Sequence, residues 1–169
     1  MKGTKILLAS PTRGVTEQII VSGTPKPGTC MEMVPATEPV GGLFSYAVYG
    51  TQAASGGNFV AADGNKKAVA VLLEKDQEAK IYSDAYATGD RGRVYFPIPG
   101  EELNMLFENQ SGTADAFAIG DEAMIDDGTG KLLAVDSDAE AQPFTVRETK
   151  AALTADAWIR CRFNGTGGA

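Results

Sequence analysis

The sequence predicts an all-β fold, a small β-barrel or β-sandwich with an extended N-terminal arm and a long inserted loop. Turn signals recur every roughly 8–15 residues, a spacing that favours short β-strands over the alternating strands and helices of a parallel sheet. The 169 residues include 20 Gly and 8 Pro, which makes the chain rich in turns. A chain of this length forms a core without needing disulfides or a bound metal.

The first two strands are expected at residues 19–21 and 29–34. Pro25 and Pro27 between them lack N–H donors, and Gly28 accepts a positive φ, so the chain turns there.

Further strands are expected in the middle of the chain. Residues 68–74 form a continuous apolar run, which indicates a strand buried on both faces. Residues 91–97 follow a Thr-Gly-Asp turn and place Val94 and Phe96 on one face. Residues 101–107 fit either a strand or a helix, and the β context favours a strand.

Two hairpins are expected near the C-terminus. Residues 119–125 and 131–135 flank an Asp-Gly turn, which supplies the left-handed conformation of a tight hairpin. Residues 144–153 and 157–163 form the second hairpin. In its last strand a core-facing set, Ile159, Cys161 and Phe163, alternates with an outward set. The outward set is Trp158, Arg160 and Arg162.

We divide the chain into an extended arm at residues 1–17, one β domain at 18–163 and a flexible tail at 164–169. The β domain contains an insertion at 35–67, which is rich in Gly and Pro. A loop of this length inside a compact domain is usually functional or mobile. The insertion carries an aromatic set, Phe44, Tyr46 and Tyr49. Phe44 and Tyr46 stand two residues apart, which is consistent with a short strand inside the insertion.

The charge is unevenly distributed along the chain. Its net value is −7, yet the first thirteen residues carry Lys2, Lys5 and Arg13 and no acid. A basic arm on an acidic body is a candidate tether to an acidic partner surface, and a solvated tail is the alternative. An acidic body argues against nonspecific binding of nucleic acid. The longest apolar runs are too short to span a bilayer, so we expect neither a membrane nor direct nucleic-acid contact.

The sequence offers little for catalysis. It contains no His, which removes the usual general base and the commonest metal ligand. It also lacks a nucleophile elbow, a phosphate loop and a dinucleotide fingerprint. We therefore expect no enzyme, no cofactor and no metal site. Cys30 and Cys161 are expected to be buried thiols, with one disulfide as the alternative.

The outward set of the last strand suits a protein interface, because Trp and Arg are enriched among the residues that dominate binding energy. The alternative is that the arm covers Trp158 and that Arg160 and Arg162 pair with local acids such as Glu148.

A series of strand and turn motifs occurs in a fixed order along the chain. They are Lys26-Pro27-Gly28-Thr29, Ala68-Val69-Ala70-Val71-Leu72-Leu73-Glu74, Tyr86-Ala87-Thr88-Gly89-Asp90, Pro99-Gly100-Glu101-Glu102-Leu103-Asn104, Ile119-Gly120-Asp121-Glu122-Ala123 and Asp127-Gly128-Thr129-Gly130-Lys131-Leu132. In order and spacing, residues 18–163 resemble the small head decoration (cement) proteins of tailed bacteriophages. The arm and the insertion depart from the shorter members of that family.

The resemblance implies a structural virion protein that binds the outside of an assembled capsid and stabilises it by bridging adjacent subunits. Its partners are then the major capsid protein and, often, two further copies in a homotrimer. The chain is made in the host cytoplasm and ends on the capsid exterior. A glycan- or receptor-binding module on the virion, and a tail or neck component, remain alternatives.

The capsid or subunit contacts are expected from three groups. The arm residues lie across a neighbouring subunit or the shell, the aromatic set of the insertion contacts the capsid or trimer mates, and the outward set of the last strand adds to them. These residues are Lys2, Lys5, Ile6, Leu7, Leu8 and Arg13; Phe44, Tyr46 and Tyr49; and Trp158, Arg160 and Arg162.

Overall fold

The computed structural model describes residues 6, 14–34, 39–50, 69–74, 83–109, 116–126, 128–135 and 142–165, and the structural statements below concern these residues. They form ten strands, and none of them belongs to a helix that could cross a membrane. The all-β class is therefore confirmed. The strands are β1 (Val15–Val21), β2 (Cys30–Met33), β3 (Ser45–Val48), β4 (Ala70–Leu72), β5 (Arg91–Phe96), β6 (Glu102–Phe107), β7 (Glu122–Ile125), β8 (Leu132–Ala134), β9 (Phe144–Val146) and β10 (Ala157–Phe163).

The ten strands close into two five-stranded barrels, where the sequence predicted one barrel or sandwich. Barrel 1 has the order β1-β3-β2-β4-β5 and closes through the antiparallel pairing of β5 with β1. Barrel 2 has the order β6-β8-β7-β9-β10 and closes through the antiparallel pairing of β10 with β6. Short strands joined by glycine turns form either arrangement, so turn spacing alone does not distinguish them.

The two barrels repeat one unit strand by strand. In each barrel the first strand pairs in parallel with the third, and every other neighbouring pair is antiparallel. The register repeats as well. Val21 lies opposite Tyr46 in barrel 1, and Phe107 lies opposite Leu132 at the same position of barrel 2.

One turn occurs identically in both barrels, between the first and second strands. Residues 26–29 and residues 118–121 each close with an N–H to carbonyl bond, of 3.3 and 3.2 Å. The third residue of each turn is a glycine at positive φ, 86° for Gly28 and 102° for Gly120, as a type II turn requires. Each glycine N–H donates to the last residue of its barrel's fourth strand, at 2.8 and 3.0 Å.

The buried residues form two clusters. One fills barrel 1, with Ile19, Val21, Met31, Tyr46, Ala70, Leu72, Tyr86 and Val94. The other fills barrel 2 and continues into the joint between the barrels. Strand β4 lies between them, because Ala70 and Leu72 face the core of barrel 1 while Val71 belongs to the second cluster. The prediction of a strand buried on both faces is confirmed.

The joint contains a segment of barrel 1 inserted between two strands of barrel 2. Gly28 accepts a hydrogen bond from the N–H of Leu106 in β6, at 3.1 Å, and Cys30 donates its N–H to the carbonyl of Gly130 before β8, at 2.8 Å. The positions equivalent to Leu106 and Gly130 in barrel 1 are Ile20 and Phe44. Those two residues bond directly, N–H to carbonyl, at 2.9 Å. Residues 28–30 therefore separate β6 from β8 at the position where β1 and β3 bond directly in barrel 1.

Most local predictions are confirmed and several boundaries move. Residues 101–107 contain strand β6, and β7 and β8 form the expected hairpin. In β10 the core-facing set is buried and both arginines are exposed. Strand β1 begins at Val15, inside the segment assigned to the arm.

The two cysteines confirm the expectation of buried thiols. Cys30 and Cys161 are free and buried, and burial raises the pKa of both thiols.

Candidate interaction surface

The predicted arm supplies one described residue. Lys2, Lys5, Leu7, Leu8 and Arg13 lie outside the described residues. Ile6 is fully buried within the chain's own second cluster. Its N–H donates to the Glu74 carboxylate, and its carbonyl accepts the N–H of Asn104 at 2.8 Å. The expected contact of Ile6 with a neighbouring subunit is therefore corrected, since its side chain packs against its own barrels.

The aromatic set of the insertion divides into buried and exposed members. Tyr46 and Tyr49 are 5% and 3% exposed, whereas Phe44 is 43% exposed. Tyr46 lies in β3, the short strand expected around it, and points into barrel 1, where its hydroxyl donates to Glu17 at 3.1 Å. Burial, followed by the charge of Glu17, raises the pKa of Tyr46 to about 12. Tyr49 packs in the joint. Of this set, Phe44 alone is available to a partner, and the contacts expected of the two tyrosines are corrected.

Trp158 holds the two barrels together. Its indole Nε1–H donates to the carbonyl of Pro27 at 2.8 Å, so the turn at residues 26–29 contacts it. The half-buried indole is therefore engaged within the chain. Its contact with a capsid partner stays a prediction.

Arg160 and Arg162 remain exposed on β10. The Arg160 guanidinium donates to the carbonyl of Arg147 at 3.2 Å, and its backbone N–H donates to Glu148 at 3.1 Å. Glu148 therefore accepts a hydrogen bond from the backbone of Arg160, whereas the alternative interpretation paired it with an arginine side chain. The two arginines stay candidates for a contact surface.

Four exposed apolar side chains lie at one end of barrel 1. They are Val15, Met33, Val40 and Phe44, which are 67%, 50%, 60% and 43% exposed, and we call them the barrel 1 mouth. β1 begins at this end, antiparallel β2 ends there, and β3 begins there just after Phe44. Sequence reasoning found Phe44 and missed the other three.

A signal for Val40 is present in the sequence. Val40 and Leu43 form a bridge around Gly41 and Gly42, whose φ values of 60° and 80° match a type I′ turn. A Gly-Gly pair flanked by apolar residues is a hairpin signal, and it predicts that Val40 lies beside a hairpin tip. Val15 and Met33 give no comparable signal, because they continue the inward pattern of their strands past the end of the core.

The described residues offer binding surfaces rather than a reactive centre. They contain no group of three His, Cys, Asp or Glu side chains placed to hold a metal ion. Their buried side-chain polar atoms all have hydrogen-bond partners. The Tyr95 hydroxyl, for example, donates to Glu101 at 2.5 Å and accepts the N–H of Gly14 at 2.9 Å. Burial, then the hydrogen bond to Glu101, raises the pKa of Tyr95 to about 12. The expectation of a non-enzymatic chain without cofactors stays a prediction.

An ionic cluster lies in barrel 2. The Lys131 ammonium is 2.9 Å from Asp156 and 3.5 Å from Glu108. Partial burial raises the pKa of Asp156, but hydrogen bonds from Lys131 and from the N–H of Asn109 outweigh it and lower the pKa. This cluster joins the start of β8 to the loop before β10, so its role is structural.

Comparison with known proteins gives a likeness in fold. No family model matches the chain, and no curated protein matches it. Among solved structures, the chain is similar to the crystal structure of the N base of the head fibre protein gp8.5 of bacteriophage phi29. The TM-score is 0.51 at 6% identity, covering 92% of this chain and 98% of that chain. At this identity the likeness establishes that the two chains share a fold over nearly their whole length.

Proposed function

We propose that this chain is a structural protein of a tailed-phage virion, which binds the outside of the assembled head and stabilises it. The observation that carries the proposal is the fold it shares, over nearly the whole of both chains, with the base of a phage head fibre. The order of turn motifs, which resembles head decoration proteins, supports the same assignment independently.

The architecture suits such a role. Two barrels joined by an apolar cluster that extends from barrel 2 into the joint form a stiff body, and a stiff body loses little conformational entropy when it binds. A protein that contacts several capsid subunits at once gains affinity from each, even where single contacts are weak. Because it binds only the assembled shell, it stabilises assembly by mass action. The partner is then the major capsid protein, and a homotrimer on the capsid multiplies the contacts.

The test uses phage heads that lack this protein, with purified chain added back. Sedimentation of the heads is expected to bring down the chain in saturable amounts, whereas unassembled capsid protein is expected to bind little. Heads carrying the chain are expected to survive heating that opens bare heads. If the chain does not co-sediment, or heat survival is unchanged, the proposal is wrong.

The fibre-base likeness favours one second candidate, a base on the head that carries a further appendage. Labelled chain on intact virions distinguishes these roles from the alternatives. Label over the head surface is expected, while label at the tail or neck, or binding to host glycans without binding to heads, contradicts the proposal.

A further inference from the structure

The duplicated unit allows the exposed end of barrel 1 to be compared with its counterpart in barrel 2. Met33 ends the second strand of barrel 1 opposite Tyr46, and Ile125 ends the second strand of barrel 2 opposite Leu132. Met33 is 50% exposed, while Ile125 is 3% exposed. The same end of the same unit is therefore open in barrel 1 and covered in barrel 2.

The cover of barrel 2 is the outer wall of barrel 1. Cys30, Val71 and Tyr95 lie side by side in register on β2, β4 and β5, facing away from the core of barrel 1. All three are at most 1% exposed and share one apolar cluster with Ile125. Backbone bonds fix the wall against the β7–β8 hairpin, including the bond from Gly128 N–H to the carbonyl of Tyr49 at 3.0 Å.

The corresponding wall of barrel 2 is polar. The positions equivalent to Cys30, Val71 and Tyr95 are Glu122, Thr145 and Arg162, which lie in register on β7, β9 and β10. Glu122 and Arg162 are exposed. Burying this wall against an apolar mouth removes two charges from water without a partner, which is strongly unfavourable. A second copy of the chain therefore cannot cover the barrel 1 mouth in the way that barrel 1 covers barrel 2.

We propose that the barrel 1 mouth is the docking surface for an apolar outer β-sheet face on a different protein. The internal joint shows what this end of the unit accepts, the outer wall of a β-sheet that carries apolar side chains. Ile20 and Phe44 close the slot between β1 and β3, so the partner contacts side chains at the rim rather than inserting its backbone. The location of this partner on the virion head rests on the proposed function. The apolar chemistry expected of the partner does not depend on it.

The direct test is to give barrel 2 an apolar outer wall like that of barrel 1. The variant Glu122→Val/Thr145→Val/Arg162→Tyr is expected to associate head to tail with the barrel 1 mouth of another copy, in a concentration-dependent manner by sedimentation velocity. Adding Val40→Ser and Phe44→Ser to the same chain is expected to restore the sedimentation coefficient of the native chain. Both serine positions are exposed, so these changes leave the fold intact.

A matched control carries the same kinds of change at other exposed positions of barrel 2. Lys150→Val/Thr149→Val/Arg160→Tyr adds equal apolar surface at exposed positions outside the wall, and it is expected to sediment like the native chain. A folded wall variant that sediments like the native chain overturns the proposal. So does association that persists with serine at positions 40 and 44, or association of the control to the same extent.

A second experiment uses the natural partner. Val40→Ser/Phe44→Ser in the otherwise native chain is expected to lower binding to phage heads at least tenfold, with an unchanged circular dichroism spectrum. Unchanged head binding overturns the docking role of the mouth. If the native chain itself fails to bind heads, the proposed function is wrong, and the wall variant still decides whether the mouth accepts an apolar sheet.

Discussion

Replacing Gly28 with alanine should destabilise this protein more than replacing Gly120, although the two glycines occupy the same turn of the same unit. Both have positive φ, 86° and 102°, and both donate their N–H to the fourth strand of their barrel. They differ in surroundings. A Cβ at Gly28 meets the N of Leu106 at 3.0 Å and Nε1 of Trp158 at 3.1 Å, while a Cβ at Gly120 meets nothing within 4 Å.

The expected free energies follow from these contacts. Alanine at positive φ costs about 1–2 kcal/mol, and this cost is common to both variants. At Gly28 the new methyl group also pushes the turn away from β6 and Trp158. That movement weakens two hydrogen bonds across the joint, each contributing about 0.5–1.5 kcal/mol. We expect Gly120→Ala to cost about 1–2 kcal/mol, and Gly28→Ala about 1–3 kcal/mol more.

Urea unfolding measures both variants, followed by circular dichroism for the whole β structure and by fluorescence for the joint. Trp158 is the only tryptophan in the chain, so the fluorescence reports the joint alone. In the native chain the two signals are expected to give one transition, because one apolar cluster spans the barrels. Equal costs for the two variants would refute the reasoning that residues 26–29 hold the barrels together.

Three further expectations concern single side chains. The raised pKa of Tyr46 means that the folded chain keeps a proton that the unfolded chain loses above pH 10, so the free energy of unfolding falls between pH 10 and about 12. Urea titrations across this range are expected to show a shallower fall in Tyr46→Phe than in the native chain. An equal fall in the two proteins contradicts this expectation. Lys131→Met is expected to cost up to about 1 kcal/mol at pH 7. Because Asp156 has a lowered pKa, that difference is lost as the pH falls through its titration, and a cost that is independent of pH contradicts the ion pair. Trp158→Phe, followed by circular dichroism, is expected to cost about 0.5–1.5 kcal/mol through the lost bond to Pro27, and an unchanged midpoint speaks against that bond.

The parts of the fold that local chemistry controls could be read from the sequence. Glycine at position 28 indicates a turn because its positive φ is unfavourable for other residues, and the structure places it there. The alternation in β10 predicts its inward and outward faces, since successive side chains of a strand point to opposite sides.

The duplication could not be read in the same way. Equivalent core positions keep their apolar character and change their identity, as in the pairs Ile19 with Met105 and Val94 with Cys161. A core requires volume and apolarity rather than particular side chains, so the two units can diverge while the pairing of their strands is kept. Sequence comparison of the two halves has no shared residues to detect at such positions.

The candidate contacts were least predictable where short strands lie in a glycine-rich stretch. Tyr46 and Tyr49 were expected to contact a partner and are buried, because a strand of four residues such as β3 gives too weak a periodic signal to show which side chains face inward. Burial of Ile6 depends on Glu74 and on the backbone of Asn104, which are distant in sequence. Contacts of this kind follow from the joint between the barrels, which no local pattern encodes.

Cryo-electron microscopy of phage heads with and without this protein is the decisive measurement. We expect additional density on the outer surface of the head, into which the tandem barrel fits with the barrel 1 mouth against a neighbouring protein. Density confined to the tail or neck, or heads that are identical in the two maps, would mean that the protein does not bind the head surface.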